Sequence, residues 1–130
     1  MSKKLFYLVC LSLLNLYSLA RAQYSLNLSP QLVELELSPG ERKDFSLIFG
    51  NEDSNTPLNV LVFMSDFMEL PHGSYKLIDQ GNSRFSCADW ITVSDSFFSL
   101  PPNSSKEIKA QIKVPRDAVG GKYAAVVFEI

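Results

Sequence analysis

In "KEIKAQIKV", 106–114, the residues from Glu107 onward alternate without a break. Ile108, Ala110, Ile112 and Val114 fall on one side of an extended chain; Lys109, Gln111 and Lys113 fall on the other. Side chains change face at every residue only in a β-strand. Wound as a helix, the same residues would scatter their apolar groups around the axis. The segment therefore reads as a strand with one face on a core and the other in water.

Similar short runs recur about every ten residues, separated by turn residues, which is the pattern of an all-β sandwich or barrel. In "QLVELELSPGE", Val33, Leu35 and Leu37 alternate with Glu34 and Glu36 before Pro39-Gly40 turns the chain. Phe45, Leu47 and Phe49 share a face, and "NEDSNTP" is a polar loop. "LNVLVFMSDF" is almost continuously apolar, as expected of a central strand covered on both sides. A hairpin is expected around Pro71-His72-Gly73-Ser74, short strands at 90–93 and 97–100, and a turn at Pro101-Pro102-Asn103. No helix-period segment follows residue 22. These elements predict an immunoglobulin-like antiparallel β-sandwich of about seven strands. A small barrel has the same periodicity.

The first 22 residues are read apart from the domain. Lys3 and Lys4 precede an apolar stretch, Leu5 to Leu19, and Ala20-Arg21-Ala22 places small residues two apart. This is the three-part pattern of a secretory signal peptide. Ser12, Asn15 and Ser18 interrupt the stretch, which is shorter than the roughly 20 apolar residues of a membrane span. Cleavage after Ala22 leaves residues 23–130 as one domain, without an integral membrane span, in the periplasm, at the cell surface or secreted. Without Lys3, Lys4 and Arg21 the mature chain holds 9 basic and 14 acidic residues. No basic run exists, which argues against nucleic acid and anionic membrane as partners. Cys10 leaves with the leader, and Cys87 alone allows no internal disulfide. It reads as a small apolar residue, or as one half of a bridge between chains.

Nothing in the sequence carries catalytic or metal chemistry. His72 is the one histidine and sits in a turn. The serines lack a base to activate them, and no His/Cys/Asp set has zinc spacing. "NEDSN" lacks the pattern of a calcium loop, and Gly120-Gly121 precedes a strand rather than a helix. The chain is read as no enzyme, with no cofactor. Phe45, Phe49, Trp90, Ile108, Ile112 and Tyr123 are the expected core, with Lys109 and Lys113 in water.

The order of motifs resembles that of bacterial extracytoplasmic immunoglobulin-like domains, the N-terminal domain of periplasmic pilus-assembly (fimbrial) chaperones among them. The resemblance runs over most of residues 30–130. It is carried by Pro39-Gly40, Asn51, Pro57, Asp66, Gly73, Tyr75, Ser86, Trp90, Pro101, Pro115, Gly121 and Tyr123. It implies the sandwich fold, an exported location and a chaperone-like binding or assembly role in fimbrial biogenesis. Those chaperones hold a subunit carboxylate with an Arg on the first strand. "YSLNLSPQLVELEL" has no basic residue, so no subunit-binding residue carries over.

Counted in that sandwich, residues 122–130 form the sixth strand, beside which a seventh normally pairs. The stretch "KYAAVVFEI" reads as apolar on both faces. Tyr123, Ala124, Val126, Phe128 and Ile130 are therefore the candidate strand-pairing edge. Its cover would be a downstream strand or domain, the segment 24–28, or a strand from a protein partner. The expected function is a non-enzymatic extracytoplasmic binding module acting through strand edges. The alternative is the structural N-terminal domain of a larger cell-surface or envelope protein.

Overall fold

The computed structural model describes residues 24–130. The leader expected at 1–22 lies outside the described residues. Eight strands follow one another: β1 (Leu26–Ser29), β2 (Arg42–Asn51), β3 (Leu58–Glu69), β4 (Tyr75–Ile78), β5 (Ile91–Val93), β6 (Phe97–Leu100), β7 (Ser104–Lys113) and β8 (Ala125–Glu129). A 3-10 turn, Ala88–Trp90, leads into β5. One sheet runs β1-β2-β7-β5, and the other is built around β3. β3 pairs with β6 along 58–61, with β8 along 61–65 and with β4 along 66–69. Every one of these ladders is antiparallel. The fold is an immunoglobulin-like antiparallel β-sandwich.

The long ladder between β2 and β7 shows how alternation becomes packing. Leu47 opposes Ile108 across it, and both side chains are buried, as are Phe49, Ala110 and Ile112. Lys109 and Lys113 are exposed, as their phase requires. From the facing sheet come Leu58, Val60 and Val62 of β3 and Phe98 and Leu100 of β6. Val126 and Phe128 of β8 pack against this cluster. The Phe49 and Phe128 rings stack with centroids 5.0 Å apart, and Phe98 meets Phe49 edge-on at 6.4 Å. Interlocking aromatic pairs of this kind add to the stability gained from burial alone.

Asn51, at the end of β2, shows why that motif position takes an amide. Its side chain is 1% exposed. Its Nδ2 donates to the carbonyls of Thr56 (2.8 Å) and Pro101 (3.2 Å), and its Oδ1 accepts from the Asp53 N–H (3.1 Å). One side chain thereby ties the β2–β3 loop to the end of β6. Within that loop the exposed Asp53 carboxylate accepts from the N–H groups of Asn55 and Thr56, each at 2.7 Å. Those backbone donors hold its carboxyl below the usual aspartate value. "NEDSNTP" is thus a carboxylate-capped turn.

Four expectations need correction. β3 is not covered on both sides: Leu61 and Phe63 are 44% and 37% exposed, because the described residues form two layers and its outer face has no third. β8 is likewise buried on one face, through Val126 and Phe128, while Val127 stands opposite Phe63 on the outer one. The segment 24–28 does not cover the edge of β8, since β1 pairs with β2 instead. The alternating residues 33–37 join no ladder. Their pattern is that of a strand, but no described strand lies in register beside them.

Candidate functional site

The packed cluster occupies the half of the sandwich nearest the β2–β3 loop. The other half opens sideways into a groove of about 740 Å³. Its floor is Phe45, Leu47, Phe67, Cys87, Trp90, Ile112 and Val114. One wall is the unpaired segment 31–37, contributing Val33, Leu35 and Leu37; the other is residues 122–126. The volume falls within the roughly 300–1,000 Å³ of ligand-sized clefts, and the lining is predominantly apolar.

The floor includes two residues expected deep in the core. Phe45 and Trp90 are half-buried because the groove, rather than a strand, lies over them. Cys87 is a free thiol, 7% exposed. Burial pushes its pKa up, so it stays protonated and packs as an apolar group.

The β8 wall has a definite hydrogen-bonding edge. Leu61 stands opposite both Phe97 of β6 and Glu129 of β8, so those strands flank β3 on opposite sides. The Val62 N–H donates to the Ser96 carbonyl on the β6 side (2.8 Å). Backbone groups alternate sides along a strand, so Leu61, Phe63 and Ser65 bond toward β8. Their partners Glu129, Val127 and Ala125 bond back toward β3. The alternate residues, Val126 and Phe128, direct N–H and C=O to the far edge. No described strand pairs there.

Just before β8 the backbone is already engaged. The Tyr123 N–H donates to the Phe85 carbonyl (2.9 Å), and its carbonyl accepts from the Cys87 N–H (3.3 Å). This parallel bridge is held from below by Asp66, which is 1% exposed. The Asp66 carboxylate accepts from the Ser83 N–H (2.9 Å) and from the Ser86 hydroxyl. Ser86 Oγ in turn accepts from the Ala88 N–H (3.1 Å). Asp66, Ser86 and Tyr123, three separate positions of the sequence motif, thus form one device that fixes where β8 begins.

Tyr123 is consequently not part of the free edge, and it is not core either. Its side chain is 41% exposed. The ring lies 4.9 Å from Phe67 and 5.9 Å from Phe85, and Phe67 meets Tyr75 edge-on at 5.6 Å. These aromatics come from three distant stretches, and no local pattern marked them as neighbours. The expected edge residues separate: Val126 and Phe128 lie on the open edge, Ala124 lines the groove, and Ile130 follows β8 at 49% exposure.

Among the described residues no group of three His, Cys, Asp or Glu side chains is placed to hold a metal ion. His72 is exposed in its turn at φ 79°. No described helix is long and apolar enough to cross a membrane.

No family model matches the sequence, and no curated protein matches it. Among solved structures it is similar to the ASH/PapD-like domain of human CEP192 (PapD-like domain 7), at 10% identity and a TM-score of 0.44. That likeness covers 70% of this chain and 61% of that one. The fold assignment rests on the two sheets and their pairing.

Proposed function

We propose that this chain is a non-enzymatic, extracytoplasmic binding and assembly module that accepts an extended polypeptide strand in its groove. The observation that supports this most is the pair of walls that no further strand joins among the described residues. An open edge on β8 and a ladder-free segment 31–37 face one apolar trough. A guest strand would add main-chain hydrogen bonds to β8 and seat alternate side chains over Phe45 and Trp90, which is β-strand addition. Antiparallel to β8, such a guest runs in the same direction as 31–37. That segment descends from the Ser29 end, opposite Ile48, to Gly40, whose N–H bonds Val114.

Hydrogen exchange tests the reading at single amides. In the chain alone, the Ala125, Val127 and Glu129 amides should be protected and those of Val126 and Phe128 should exchange fast. Adding a strand peptide should protect the latter pair. Amides of Val126 and Phe128 that are slow from the start, and unchanged by any peptide, would make this a structural module with no strand to receive.

Export rests on Lys3, Lys4, the apolar stretch and Ala20-Arg21-Ala22. Mass spectrometry of exported material should find a chain beginning at Gln23. Soluble exported protein retaining Met1 would overturn the leader assignment.

A further inference from the structure

The wall between β1 and β2 has the rhythm of a strand without the bonds of one. Val33, Leu35 and Leu37 line the groove, and Glu34 and Glu36 alternate with them outside its lining. From Pro30 to Leu37 no backbone group makes a hydrogen bond among the described residues. The wall is anchored only at its ends. The β1 ladder stops at Ser29, and the Gly40 N–H donates to the Val114 carbonyl (3.0 Å). Across the groove stands the far edge of β8, which no described strand pairs. Backbone groups without a partner must stay solvated or find one.

The two walls run in opposite directions. β8 rises from Ala125, beside Ser65, to Glu129, beside Leu61. Residues 31–37 descend from the Ser29 end, opposite Ile48, to the Gly40 end. Directly opposite residues of an antiparallel pair share a face. The inward Val33, Leu35 and Leu37 would therefore fall opposite the inward Val126 and Phe128, the β8 residues whose N–H and C=O point across the groove. Brought together, the walls would bond through the odd-numbered residues, while Glu34 and Glu36 would turn their backbone groups away.

We propose that residues 31–37 are a strap that swings across the groove and pairs antiparallel with the far edge of β8. Strap and guest claim the same N–H and C=O groups, so each excludes the other, and the closed fraction lowers the apparent affinity for a guest. Closure also hides an apolar edge that would otherwise template association. It is a property of the chain alone and does not depend on the strand-accepting reading above.

Amide hydrogen exchange tests it. Proline lacks an N–H. At 35 it removes a group that closure uses; at 34 or 36 it removes one that points away from β8. In the unaltered chain the Val126 and Phe128 amides should exchange about three- to tenfold slower than free-chain rates, as for a contact that opens readily. Leu35→Pro should return both to the free-chain rate, with Val33→Pro as a second variant of the same effect. Glu34→Pro and Glu36→Pro should leave them slowed. Protection of Ile108 in β7 checks that each variant keeps the sandwich. Val126 and Phe128 amides already at the free-chain rate in the unaltered chain would overturn the strap without any variant. Equal slowing in Leu35→Pro and Glu36→Pro would overturn it too. In both cases the groove stays open to a guest. Amides that Leu35→Pro releases, but that no strand peptide protects, would support the strap and overturn the strand-accepting reading.

Discussion

Phe49→Ala should lower the unfolding free energy by about 3–5 kcal/mol, the usual cost of removing a large aromatic from a core. Phe49 is 3% exposed and joins both sheets: its ring stacks on Phe128 and takes Phe98 edge-on. Its loss therefore opens a cavity and also releases β8, which the β3 ladder and the Val126–Phe128 packing hold to the domain. Small domains are stable by about 5–15 kcal/mol in total, so most of the population should unfold at moderate denaturant. Trp90→Ala serves as the comparison. It should cost clearly less, because its ring is half-buried and already borders open space. Urea denaturation of both variants checks the ranking. A Trp90 variant as damaged as the Phe49 variant would show that the groove is closed in solution.

Occupying the groove should raise the melting temperature by roughly 10–20 °C. A ligand that binds only the folded state stabilises it by about 2.7 kcal/mol at 100 times its dissociation constant. Each kcal/mol moves the midpoint of a domain this size by about 4–8 °C. Among the described residues no strand covers the far edge of β8 or the apolar floor beside it, and unpaired apolar edges template association. The chain alone should therefore melt early or self-associate. Thermal melting with sedimentation, with and without a saturating strand peptide, measures both effects. A monomeric domain whose melting point does not move would mean that the two walls need no third strand between them.

Much of this was legible because a sandwich is written in a local code. The alternation in "KEIKAQIKV" placed Ile108, Ala110 and Ile112 inward and Lys109 and Lys113 outward, and β7 has that arrangement. Asn51, Asp66 and Ser86 stood out as motif positions, but only contact across the chain revealed their work. Asn51 bonds carbonyls at 56 and 101, and Asp66 holds a loop some twenty residues on. Two patterns misled. Residues 33–37 carry the rhythm of a strand, and rhythm reports which side chains face apolar surroundings, not whether a neighbour supplies hydrogen bonds. Tyr123, one of the expected core residues, is 41% exposed. The parallel bridge to Ser86 turns it instead into a surface cluster with Phe67 and Phe85.

The sequence by itself determined the class of fold and the inward phase of its best-alternating strands, because period-two burial is settled residue by residue along the chain. Tertiary structure alone decided where the sandwich closes and where it stays open. Closure depends on which edges meet across about a hundred residues: β1 goes to β2, and β8 is held on one edge by β3. Among the described residues that leaves Val126 and Phe128 with their other edge unpaired, and Val126 lines the same groove as Val33, Leu35 and Leu37. No local pattern encodes that juxtaposition, because an edge becomes a site only once the rest of the sheet has chosen its neighbours.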